Sequence, residues 1–205
     1  MNTEPSEFFE VLPSSVESAG SQRHRSIVLP WCGSPSGAVP GVAPLEHVLA
    51  QNKKVAICLD HIAAYPLGFE VNLTILFDNV DPGFGPILGS RRIRNVGRSE
   101  ISPEMLRFGV QFADGTKATN TRSRLPGLTD RDEPSEPVIL ERGGRGDGDR
   151  WEQSYWLWPL PPPGPLAFVC EWPGVEIPLT RWEIDGKTVR DASGRSQVIF
   201  PKEQS

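Results

Sequence analysis

Between residues 159 and 165 the chain reads PLPPPGP, and five of those seven residues carry no amide hydrogen. Without that donor a residue cannot complete a β-ladder, and the fixed φ of each ring excludes a helix interior. The run must therefore turn outside any sheet. On either side lie WEQSYWLW at 151–158 and LAFVCEW at 166–172, which together hold four of the six tryptophans. In the first, Trp151, Gln153, Tyr155 and Leu157 alternate with Glu152, Ser154, Trp156 and Trp158. In the second, Leu166, Phe168, Cys170 and Trp172 alternate with Ala167, Val169 and Glu171. Period-two alternation marks strands, so the block reads as two strands joined by a proline-set corner, a hairpin central to one sheet. Each ring buried there contributes on the order of 2–3 kcal/mol, enough for the pair to anchor a sheet against a second layer.

The rest of the chain repeats this pattern. Val55, Ile57, Leu59, His61, Ala63 and Tyr65 fall on one face of a strand. After a turn at Pro66, Leu67 and Gly68, so do Phe69, Val71, Leu73, Ile75 and Phe77, with Glu70, Asn72, Thr74 and Asp78 facing away. Leu106, Phe108, Val110 and Phe112 precede Asp114 and Gly115, a strong hairpin signal into TKATNT. Further strands are expected near 138–141, 179–185 and 197–200, with a short helix near 187–196. Leu45, Val48 and Leu49 behind Pro44 have helical spacing, which predicts a turn or two of helix over 44–51. Twenty-one prolines and twenty glycines fall between the apolar runs, the habit of an all-β chain. The expected fold is an immunoglobulin-like or jelly-roll β-sandwich of about eight short strands, with one or two short helices. Residues 1–26 read as a disordered N-terminal tail, with 27–205 as a single β-sandwich domain.

The stretch WLWPLPPPGPLAFVCEWP, followed by GVEIPLTRWEID, resembles the C-terminal half of a family of actinobacterial proteins. The similarity extends through PWCG near Trp31, AYPLGFE around Tyr65 and MLRFGVQFADG ending at Gly115. What the resemblance implies is one domain; the family brings no activity and no catalytic residues.

Few residues suggest chemistry. Net charge is −5, which gives the chain as a whole no electrostatic reason to seek nucleic acid or anionic membrane. No apolar stretch approaches the ~20 residues of a membrane span, and the start lacks a secretory pattern, so the expected location is the cytoplasm. Cys32, Cys58 and Cys170 are far apart, with no paired spacing for a disulfide framework or zinc. Cys58, Asp60 and His61 suggest a nucleophile with its base. On a regular strand, however, Cys58 and His61 point to opposite faces, and His61 would end a core face. His24 and His47 have no partner at ligand spacing. Residues 143–149, GGRGDGD, read as a flexible loop. P-loop, dinucleotide, serine-elbow and metalloprotease motifs are absent from the sequence. Neither a cofactor nor a metal is expected.

The remaining candidates form an interaction surface: Trp156 and Trp158 on the face opposite Tyr155, the arginine cluster Arg91, Arg92, Arg94 and Arg98, and the apolar tail residues Phe8 and Phe9. For the two tryptophans, cover by the N-terminal segment or by the 80–105 insertion is the competing expectation. The first functional reading is a non-enzymatic protein, an accessory or assembly subunit, acting through contact with a protein partner or a second copy of the chain. The alternative is a small-molecule or carbohydrate binder, or an enzyme acting on such a ligand, whose sheet face carries Trp156, Trp158, Arg107 and Gln111. Phosphate or nucleic-acid binding through the arginines ranks third, because no aromatic residue interleaves them.

Overall fold

The alternation read in the sequence produces strands that stack two sheets face to face. A computed structural model describes residues 29–78, 101–121 and 133–200, in which eleven strands form three antiparallel sheets. One sheet orders β2 (Gly41–Gln51), β3 (Val55–Ala64), β4 (Phe69–Phe77), β8 (Arg150–Trp158) and β7 (Val138–Asp147). The second orders β10 (Ile177–Asp185), β9 (Pro165–Trp172), β5 (Arg107–Gln111) and β6 (Lys117–Thr119). A small ribbon pairs β1 (Ala38–Val39) with β11 (Gln197–Val198). The architecture is an all-β sandwich. Arg91, Arg92, Arg94, Arg98, Phe8, Phe9 and His24 lie outside the described residues.

The tryptophan block is a corner between sheets and not a hairpin within one. β8 pairs with β4 and β7, whereas β9 pairs with β5 and β10. With so few amide donors between them the two strands cannot close a ladder on each other, so the prolines carry the chain across the roughly 10 Å between layers. Both strands then face the same core from opposite sides. Tyr155 stacks on Phe108 across the layers with ring centroids 5.0 Å apart, and Phe77 meets Trp172 edge-on at 6.2 Å. The Trp172 Nε1 donates to the Glu104 carbonyl at 3.0 Å, which satisfies its one polar atom inside the core. At one side of the sandwich His47 of β2 stacks on Trp182 of β10 at 4.0 Å and closes the edge.

Three further expectations change. The 44–51 stretch is strand β2, whose register slips between Pro44 and His47, with Glu46 at φ 48°. A bulged strand brings Leu45 and Leu49 toward the core much as a helix turn would, and an edge position tolerates the missing amide of Pro44. In β3 a register shift between Leu59 and His61 inverts the alternation. Val55, Ile57 and Leu59 face the core, and then Ile62 and Ala64 do, so His61 does not end a core face. Residues 143–147 continue β7, and only Gly148 and Asp149 form the turn. Gly148 has φ +58°, the left-handed geometry such a tight hairpin requires at its first position.

The short helix near the C-terminus, α1 (Lys187–Ser193), forms as expected and buries Val189 and Ala192. Asp185 accepts from the Lys187 amide at 2.8 Å at its start, and Lys187 pairs with Asp191 one turn on. Asp114 and Gly115 turn β5 into β6 through the Phe112 amide, which donates to the Thr116 carbonyl at 2.9 Å.

Phe168 is fully buried, so Phe168→Ala is expected to cost about 3–5 kcal/mol in urea unfolding. Leu179→Ser at a residue 70% exposed is expected to stay within about 0.5 kcal/mol of the parent.

Candidate functional site

The outer face of the five-stranded sheet divides into a covered end and an open end. At the covered end Trp158 and Trp156 stand beside Val138 and Leu140 of β7. A 3-10 turn at Pro30–Cys32 lays Trp31 over them, edge-on to Trp158 at 5.9 Å, and Tyr65 closes on Trp156 at 5.8 Å. The Trp156 Nε1 donates to the Pro30 carbonyl at 3.2 Å, and Arg142 Nη1 donates to the Cys32 carbonyl at 3.2 Å. Trp156 and Trp158 keep 1% and 8% exposure. They form a second small core and offer no surface. The indole nitrogen of Trp31 is buried there with no hydrogen-bond partner among the described residues.

At the open end the β3 bulge matters. Because the alternation inverts at Asp60, both Asp60 and His61 reach the outer side, where His61 sits opposite Asn72, and Asn72 opposite Ser154. A groove of about 680 Å³ follows this row across the strands, walled by Glu70 and Arg142 on one side and by Asp60 and Glu152 on the other. One wall is held by its own bonds. Thr74 Oγ1 donates to Asp60 at 2.6 Å, Arg150 Nη2 donates to Thr74 Oγ1 at 3.0 Å, and Arg145 Nε donates to Glu152 at 2.7 Å. The Arg145 hydrogen bond, then its charge, holds the Glu152 carboxyl below its ordinary range. That pairing persists above the ordinary carboxylate range and is lost as pH falls through the lowered value.

The floor, and the Glu70 wall beside it, are different. The side chains of His61, Glu70, Asn72 and Ser154 are all half-buried, and none is hydrogen-bonded to a described residue. Beneath them the buried Gln153 Nε2 donates to the Gly143 carbonyl at 2.8 Å, where β7 shifts register. Partly desolvated polar groups with unused bonding capacity are what a polar ligand meets at a preformed site.

The bulge also places Cys58 on the same face as His61, contrary to the expectation of opposite faces. Burial, and then the Asp60 charge, push the Cys58 thiol up, so the arrangement supplies no activated nucleophile. Among the described residues no cluster of three metal-ligating side chains occurs, and no helix is long and apolar enough to cross a membrane. Arg107 and Gln111 do line a groove, but on the outer face of the other sheet, away from both tryptophans. Sequence reasoning had placed Glu70, Asn72 and Thr74 facing outward without marking them as a site. Alternation reveals a face, and only the bulge and the cover over its aromatic half show which part stays open.

Compared with protein-family models, with curated proteins and with solved structures, the chain matches none.

Two outcomes follow from this geometry. Burial pushes the Cys170 thiol up to about 12, so thiol titration at pH 8 is expected to leave Cys170 unreacted in native protein and to count all three cysteines in guanidinium. Trp31→Ala is expected to raise acrylamide quenching of the tryptophan emission and to cost about 3–5 kcal/mol, because the cover over Trp156 and Trp158 is lost.

Proposed function

We propose that this protein binds a polyhydroxylated ligand, of the saccharide class, across the outer face of its five-stranded sheet. The observation that carries the reading is the row His61, Asn72 and Ser154, flanked by Glu70, whose side chains spend no hydrogen bonds on the described fold. A sugar hydroxyl both donates and accepts. That suits a floor of amide, hydroxyl and imidazole groups between carboxylate acceptors and the Arg142 donor. The neighbouring wall is fixed by its own ion pairs, so the groove is organised before a ligand arrives. We take the cytoplasm as its location, a reading supported by three unpaired cysteines, which suit a reducing compartment.

Contact with a protein partner is a second reading. It is supported by the β1–β11 ribbon, where Val39, Val198 and Phe200 are more than half exposed beside Leu67. Trp156 and Trp158 contribute nothing to it, being buried.

The test of the first reading is calorimetric titration of the full chain with a panel of neutral and acidic mono- and oligosaccharides. At least one is expected to bind saturably. Asn72→Leu is expected to weaken it about 10- to 100-fold, and Ser154→Trp, which fills the groove, to abolish it. Absence of saturable binding across the panel, or unchanged affinity in Ser154→Trp, would sink the proposal.

A further inference from the structure

The outer face of the four-stranded sheet has the opposite chemistry. Residues here come in rows: Arg181, Val169, Gly109 and Thr119 stand side by side across the four strands, with Gln111 beside Lys117 one row further along. Along them lies a second groove of about 470 Å³. Its floor is apolar, formed by Val169 and the bare backbone at Gly109. A Cβ added at Gly109 would stand 2.7 Å from the Ala118 carbonyl oxygen, so the position stays without a side chain and the floor stays low. Ile101 and Leu179 add exposed apolar surface along the groove, at 45% and 70%.

The rim is cationic. Arg107, Lys117 and Arg181 line the groove, with Glu171 paired to Arg107 and Glu183 to Arg181, which leaves a local excess of one positive charge in a chain whose net charge is −5. Arg181 is committed to Glu183 and to Gln111. Arg107 gives one nitrogen to Glu171 at 2.7 Å, while its Nε is buried with no hydrogen-bond partner among the described residues. The Lys117 ammonium forms no ion pair with a described residue. Positive charge around an apolar trough selects for a negative head joined to a hydrocarbon body.

We infer that this groove is a second binding site, for a small amphipathic anion: a carboxylate carrying a short hydrocarbon tail. The carboxylate meets Lys117 on the cationic rim, and the tail lies over Val169 and Gly109 toward Leu179 and Ile101. This site is on the opposite face of the sandwich from the polar groove and does not depend on it.

The experiment is calorimetric titration of the full chain with octanoate, with octanol and octylamine as tail controls and inorganic phosphate as the head control. Octanoate is expected to bind saturably, at least tenfold tighter than octanol, octylamine or phosphate, and to weaken as salt is raised. Lys117→Glu, at an exposed position, is expected to lose about tenfold or more. Leu179→Ser is expected to weaken octanoate while leaving butyrate unchanged. Ser154→Trp, on the other sheet, is expected to bind octanoate as the parent does. The inference is overturned by octanol binding as well as octanoate, by phosphate competing equally, by an unaffected folded Lys117→Glu, or by no saturable heat at all.

Discussion

The ladder hydrogen bond that proline cannot donate decides where β8 ends and β9 begins. A tight turn at 159–165 would have let the two aromatic strands pair and left one layer rich in rings and the other poor. The run instead delivers one strand to each layer. Tyr155 and Leu157 come from one side, Phe168, Cys170 and Trp172 from the other, and the core between them closes without a polar group left unpaired at Trp172. The stacking of Tyr155 on Phe108 is a direct product of this crossing.

Once both inner faces are filled by aromatic and branched residues, the outer faces are free to differ. On the five-stranded sheet one strand, β8, serves three environments within nine residues: Tyr155 in the core, Trp156 under the Trp31 cover, and Ser154 in open groove. Alternation separates the first from the other two, and the 3-10 turn at Pro30–Cys32 separates the second from the third. Arg142 stands at that border, donating to the cover while lining the groove. The four-stranded sheet has no such cover among the described residues. Its outward residues present charge around an apolar floor.

The layered all-β fold was legible because strand periodicity survives in β4, β5, β8 and β9, and because turn residues such as Asp114 and Gly115 stand where the chain reverses. The helix at Lys187–Ser193 was legible for the same local reason. What escaped is what a single extra residue does. In β2 the slip at Pro44 and His47 imitates helical spacing, and in β3 the slip at Asp60 moves His61 from the expected core face to the groove. A bulge leaves no pattern in one strand alone, since it exists only relative to the partner strand. Cover over Trp156 and Trp158 was a competing expectation, but the sequence left open whether the N-terminal segment or the 80–105 insertion supplies it. The cover joins residues more than a hundred positions apart, as in the Trp156 to Pro30 bond, and nothing in residues 29–33 taken alone requires it.

The bulged β2 has a consequence beyond its own packing. It is the outermost strand on its side of the five-stranded sheet, where open backbone groups would let a strand from a second molecule extend the array. Pro44 offers no amide at that border, and Glu46 in the left-handed region twists the backbone out of the plane a newcomer would need. The irregularity that hid this strand from a periodic reading is also what stops the sheet from growing past it.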